Sequence, residues 1–161
     1  MTRIKKIMLS PVPTLKKEAK IEDAAKLLIQ GELGCVIIIE NNMPIGIVTS
    51  LDFINKVVAE GLSLREPVSK MMTSSLTSMD LNMKLDEALK IVDSKKFRRY
   101  PVVDKGKLVG LVTRSNIINN VSYRLKFHRS IQIIILILFV LFELFIFAYY
   151  SKLYGYFNLG F

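Results

Sequence analysis

The sequence is written twice. The phrase GIVTSLD (Gly46–Asp52) returns 64 residues later as GLVTRSN (Gly110–Asn116). The same offset superposes Met8 on Met72, Ser10 on Ser74, Lys20 on Lys84, Ala24 on Ala88 and Lys26 on Lys90. Further along it superposes Ile54 on Ile118, Asn55 on Asn119 and Val57 on Val121. No gap is needed. Two copies are too few for a solenoid, so the pattern is that of a duplicated small domain. A unit this short buries little surface alone, which requires the copies to pack on each other.

Both copies share one order of elements. In the first, Ile21, Ala24, Ala25, Leu27 and Leu28 recur at helical spacing, with a stop near Gly31. CVIIIE, the turn NNMP and IGIVT then predict a β-hairpin, and SLDFINKVVAEG a second helix ending at Gly61. The second copy repeats this as LDEALKIVDSK, YPVVD, KGK, LVGLVT and RSNIINNV. A short extended piece precedes each first helix, near Thr14 and Thr77. The unit is β-α-β-β-α, with residues 62–70 as linker. The predicted fold is α+β: two such repeats (7–62 and 69–121) packed as a pseudo-two-fold pair, plus one C-terminal transmembrane α-helix.

The helix prediction comes from residues 131–150, IQIIILILFVLFELFIFAYY, interrupted only by Gln132 and Glu143. At about 1.5 Å per residue such a run spans a hydrocarbon core of about 30 Å. A very apolar core helix is the alternative. Arg124, Lys126 and Arg129 precede the run and only Lys152 follows it within the tail 151–161. The positive-inside rule then predicts a single-pass protein with its N-terminal part in the cytoplasm and 122–130 as a basic juxtamembrane segment. Glu143, inside the run, is expected to be protonated or to face another helix.

The formal net charge is +9, with one cysteine and one histidine in the chain. An intramolecular disulfide is excluded, and a Cys/His metal site is not expected. Cys35 reads as a buried small hydrophobe and His128 as an interfacial residue. No nucleophile–base pair, Walker-type loop or metal cluster is apparent, so the chain is not expected to be an enzyme.

The doubled β-α-β-β-α unit, the run RRYPVVDKGKLVGLVTRSN and the Gly-x-x-Thr-x-x-Asp phrase resemble a tandem pair of CBS (cystathionine-β-synthase) domains, a Bateman module. The resemblance covers about Ile7 to Val121 and does not extend to the apolar run. It implies a regulatory module binding adenosine-bearing ligands (AMP, ADP, ATP or S-adenosylmethionine) between the repeats, a homodimer through the repeats, and no required cofactor. Carried over, one site uses Thr49 and Asp52 with Thr14 near the base. The other uses Thr113 and Asn116 with Ser78 near the base. Arg98 and Arg99 before Tyr100-Pro101, and Arg114 within the phrase, are the implied phosphate contacts.

A carboxylate can accept from both hydroxyls of a ribose diol, whereas Asn116 offers one acceptor oxygen and an NH2 group. The first site is therefore expected to grip ribose better. The second, with three arginines, is expected to hold phosphate better. Thr-x-x-Asp before a helix is also a capping box, which needs no ligand. The function expected is a membrane-anchored nucleotide-sensing module that signals to a partner protein. The alternatives are a ligand-free scaffold, or a basic nucleic-acid-binding module using Arg3, Lys5, Lys6 and the Lys95–Arg99 patch.

Overall fold

The computed structural model describes residues 2–31, 33–95 and 97–157, with the backbone alone for 122–130 and 151–157. The chain divides into two compact units, Met1–Asn120 and Val121–Phe161.

The first unit is built from two matching sheets. In the first copy β1 (Thr14–Lys16) pairs parallel with β2 (Cys35–Glu40), which pairs antiparallel with β3 (Met43–Thr49). Helix α1 (Ile21–Gln30) lies between β1 and β2 in sequence. After β3 the chain enters α2 (Ser50–Phe53) and continues as a π-helical stretch, Ile54–Ala59. In the second copy β4 (Met79–Asp80), α3 (Leu85–Ser94), β5 (Arg99–Asp104) and β6 (Lys107–Thr113) repeat the scheme. The order β4-β5-β6 matches β1-β2-β3, and both hairpins carry a register shift at the same place, Ile38/Ile39 and Val102/Val103. The hairpin turns are two residues long, Asn41-Asn42 and Lys105-Gly106, all at positive φ. That geometry matches the strand twist and is tolerated best by Asn and Gly.

Each helix start uses local chemistry. The Asp23 carboxylate accepts from the Lys20 N–H, and Glu87 accepts from Lys84 N–H at the same place in the second copy. Apolar positions then turn inward. Ile21 and Ala24 of α1 pack with Val36, Ile38 and Val48 of the sheet. Leu85, Ala88 and Val92 of α3 are likewise buried, as are Tyr100, Val102 and Val112.

The two copies are interlocked by straps. The residues before the second copy lie on the first: Ile21 N–H donates to Glu66, Val68 N–H to Ala19, and Ile47 and Thr73 exchange both backbone bonds. The residues before the first copy lie on the second: Ile4 N–H donates to Met83, and Leu9 and Leu111 exchange both bonds. Val68 and its repeat counterpart Ile4 are each fully buried, worth about 1.5–3 kcal/mol apiece. The last strand of each sheet is bridged by the segment that precedes the other copy.

The straps explain the glycine of the repeated phrase. A Cβ on Gly46 would lie 2.9 Å from Cγ of Met72, and one on Gly110 would lie 2.9 Å from the Leu9 carbonyl oxygen and 2.8 Å from Sδ of Met8. The repeated Gly–Met pair is a crossing point where strap and strand touch without a side chain between them.

The helix expected at RSNIINNV, the basic segment 122–130 and the apolar run all fall within one helix, α4 (Arg114–Phe157). Residues Ile131–Tyr150 have mean hydropathy 2.9 and are unburied. By length and composition this stretch could cross a membrane. The side chains of Arg124, Lys126, His128, Arg129 and Lys152 lie outside the described residues, as do residues 158–161 and Lys96 of the basic patch.

Candidate functional site

A cleft of about 530 Å³ opens where β3 runs into α2. Three segments line it. The first copy supplies Gly34, Ile47 and the stretch Thr49–Asp52. The second strap supplies Thr73, Ser75, Leu76 and Thr77. The start of β5 supplies Phe97, Arg98 and Arg99. The volume lies in the range of small-molecule sites, and the lining mixes an apolar wall with a few charged groups.

The capping and ligand readings of Thr49 and Asp52 are compatible. Oδ2 of Asp52 accepts from the Thr49 N–H at 2.8 Å and from its hydroxyl at 2.6 Å, while Asp52 N–H donates back to Thr49 Oγ1 at 3.3 Å. That is a complete capping box. Among the described residues, Oδ1 accepts from the Thr73 hydroxyl alone, at 3.5 Å. One oxygen holds the helix start, and one has capacity to accept from a ligand.

Arg99 is fixed from behind. Its Nε donates to the Leu33 carbonyl at 3.0 Å. Gly34 makes this possible: it sits at φ +56, and a Cβ there would lie 3.2 Å from a guanidinium nitrogen of Arg99. The Cys35 thiol, fully buried beside it, is pushed above its ordinary pKa by burial, partly offset by Arg99. Arg98 is exposed at the cleft wall, and Phe97 offers an aromatic surface there.

The remaining predicted residues are placed differently. Tyr100 and Pro101 are buried in β5 rather than lining the cleft. The Tyr100 hydroxyl donates to the Phe97 carbonyl at 3.0 Å, and its pKa is raised by burial and partly lowered again by Arg114. Thr14 pairs with Ile37 in the first sheet, and neither it nor Ser78 lines the cleft. Thr113, Arg114 and Asn116 lie at the β6–α4 junction of the second copy. There the Thr113 hydroxyl donates to Asn116 Oδ1 at 2.9 Å, and Asn116 Nδ2 reaches the Ile7 carbonyl at 3.5 Å.

Arg98 and Arg99 line the cleft with Asp52, while Arg99 pairs with Thr113 in the sheet and the Arg98 carbonyl accepts from the Arg114 N–H at 2.9 Å. The Asp52 cleft thus combines a carboxylate with two guanidiniums. Sequence reasoning also missed Thr73, Ser75 and Thr77. Their signal was present at the repeat offset, where Leu9, Pro11 and Pro13 occupy the equivalent positions.

The CBS domain family matches this chain twice, over residues 4–59 and 68–123. The CBS domain-containing protein YhcV of Bacillus subtilis is 31% identical over 120 residues, covering 74% of this chain and 86% of that one. A CBS-domain protein of Burkholderia ambifaria, provisionally assigned to signal transduction, superposes with TM-score 0.65 at 26% identity, covering 74% of this chain and 93% of that one. The solved structure of CBSX2 in complex with AMP superposes with TM-score 0.62 at 25% identity, covering 77% of this chain and 98% of that one.

Proposed function

The chain belongs to the CBS-domain family as a tandem pair, and from that premise we propose that it is a membrane-anchored sensor of adenine nucleotides. The observation that carries this reading is the cleft that joins Asp52 to Arg98 and Arg99. Phe97, Leu76 and Ile47 suit the faces of a base. Oδ1 of Asp52 can accept from a ribose hydroxyl, and two guanidiniums suit phosphate oxygens. One carboxylate against two arginines leaves the cleft positive. That favours AMP, ADP or ATP over S-adenosylmethionine, whose sulfonium adds positive charge.

Adenine is distinguished by the strap. In the first copy the Ile37 N–H donates to the Pro13 carbonyl at 3.0 Å. The equivalent of Ile37 is Pro101, which has no N–H. Thr77 lines the cleft, and its carbonyl lacks that strand donor. An exocyclic amine such as adenine N6 supplies one, whereas the carbonyl oxygen at the same place in guanine or hypoxanthine repels it.

Ligand bridging the two copies favours one packing of the pair over others, and a partner reads that difference. Residues 131–150 would anchor the module, with the CBS pair in the cytoplasm. The exposed stripe Leu51, Ile54 and Val58 would pair with a second copy, next to the cleft that Leu51 also lines.

Calorimetric titration of the full chain in detergent micelles with AMP, ADP, ATP and S-adenosylmethionine tests the reading. Micromolar nucleotide binding is expected. Arg99→Ala should weaken it about 10- to 100-fold, the worth of one charge-assisted bond. The absence of heat with every nucleotide overturns the sensor. Light scattering on the same samples reads the pairing, and a monomeric chain removes it.

A further inference from the structure

The repeat predicts two clefts, and the second would lie where Thr113 and Asn116 meet the N-terminal strap. We infer that these two clefts have different occupants: the Asp52 cleft takes one anionic nucleotide per chain, whereas the equivalent cleft is occupied by the chain's own N-terminal strap and takes none. The first half rests on the nucleotide reading above, and the second half stands on packing alone.

The β6–α4 junction keeps polar residues in Thr113, Arg114 and Asn116, but the strap and the facing strand of the second cleft lose the hydrogen-bonding groups of the first. Ser75 and Thr77 become Pro11 and Pro13, which lose both hydroxyls and both backbone N–H groups. The Pro13 carbonyl, unlike that of Thr77, already accepts from Ile37 N–H at 3.0 Å. Arg99 becomes Cys35.

The vacated space is filled. Cys35 and Leu111, which replace half-buried Arg99 and Ile47, are 1% and 0% exposed. Val12 from the strap and Leu33, the counterpart of Phe97, pack against them in one apolar cluster. The strap is tied down on both sides, by the reciprocal Leu9–Leu111 backbone bonds and by the Asn116 amide reaching the Ile7 carbonyl. An adenine entering here would meet the Leu111, Val12 and Cys35 side chains and find its acceptor taken, so Arg114, the counterpart of Ser50, has no seated base beside it.

Cys35 is the chain's single cysteine, so it is a native reporter of this packing. The experiment uses the full chain in detergent micelles, with two readouts. Native mass spectrometry with ATP counts bound ligand, and a thiol-reactive probe measures the rate at Cys35 with and without ATP. One ATP per chain is expected. Asp52→Ala and, separately, Arg99→Gln are expected to reduce that count to zero at the same ATP concentration. Cys35 is expected to react at least 100-fold more slowly than in the urea-unfolded chain, with no change on adding ATP.

Two ATP per chain, or one ATP surviving in both variants, overturns the inference. So does a Cys35 that reacts readily in the folded chain and is shielded by ATP. No ATP at all, with Cys35 protected, removes the nucleotide from the first cleft while upholding the strap in the second. The two failures are thereby distinguishable.

Discussion

Gly46→Ala tests the crossing of strap over strand. A Cβ at position 46 would lie 2.9 Å from Cγ of Met72 and 3.2 Å from its Cβ, and would collide with its sulfur as well. Contacts this close force either the Met72 side chain or the strap backbone to move. Overpacking of this kind costs about 1–3 kcal/mol. Replacing glycine recovers about 0.5–1 kcal/mol by restricting the unfolded chain. Contact with three atoms of Met72 at once places the cost in the upper half, about 2–3 kcal/mol, so the net loss is about 1–2.5 kcal/mol. Met72 is flexible beyond Cβ, so the lower half of that range applies if the side chain alone yields.

The assay is urea unfolding of the full chain in mild detergent, followed by circular dichroism. Hydrogen exchange at Ile47 and Thr73, which bond each other across the crossing, reads the local effect. Met72→Ala removes the obstacle, so the double variant should recover about 1 kcal/mol relative to the sum of the singles. A Gly46→Ala chain within about 0.5 kcal/mol of the parent, the usual range for an inert substitution, would refute the steric account. Strict additivity with Met72→Ala would do so equally.

Two more predictions follow from single groups. Pro101→Ala gives β5 an N–H opposite the Thr77 carbonyl, as Ile37 has opposite Pro13. The fold is kept and adenine nucleotide affinity drops about 5-fold, one hydrogen bond's worth; unchanged affinity on titration removes the Thr77 carbonyl from recognition. Burial raises the Cys35 thiol above 9.0 and the Tyr100 hydroxyl above 10.0, so the unfolded chain loses these protons first. Their stabilisation is complete below about pH 9 and is lost as pH rises through the raised values. The urea midpoint should fall from about pH 9 upward in the parent, and Cys35→Ala should delay that fall toward the tyrosine range.

Much of the fold was legible because its signals are periodic. Ile21, Ala24 and Leu28 mark a helix face, and CVIIIE before Asn41-Asn42 marks a hairpin. The straps were not legible, since residues 2–13 and 66–77 have no period of their own. Their role appears only when Leu9 meets Leu111 and Thr73 meets Ile47. The cleft that the arginines line was not legible either. In sequence Arg98 and Arg99 belong to the copy containing Asn116. In space they also line the cleft beside Asp52, where Arg99 bonds the Leu33 carbonyl. Gly46 was read as part of a ligand phrase, yet its closest neighbour is Met72. The helical run from Arg114 likewise hid its length, because RSNIINNV and the apolar stretch have different compositions but one backbone geometry.

The exchange of Asp52 for Asn116 is one of a set of matched substitutions. A carboxylate only accepts, and Asp52 has the Thr49 N–H, the Thr49 hydroxyl and Thr73 as donors. At the second copy Thr73 is replaced by Leu9, which has no hydroxyl. A carboxylate there would face the Ile7 carbonyl without a donor between them. Asn116 resolves this by donating to Ile7 while still accepting from Thr113. Both ends of its amide face the chain itself, and the Pro13 carbonyl is met by Ile37. In the first copy the corresponding groups are short of partners: Oδ1 of Asp52 has one bond at 3.5 Å, and the Thr77 carbonyl has lost its strand donor to Pro101. Unmet hydrogen-bonding capacity is what a ligand can satisfy. The duplication thus left the first copy with the larger unmet capacity, which is what the proposed sensor requires of it.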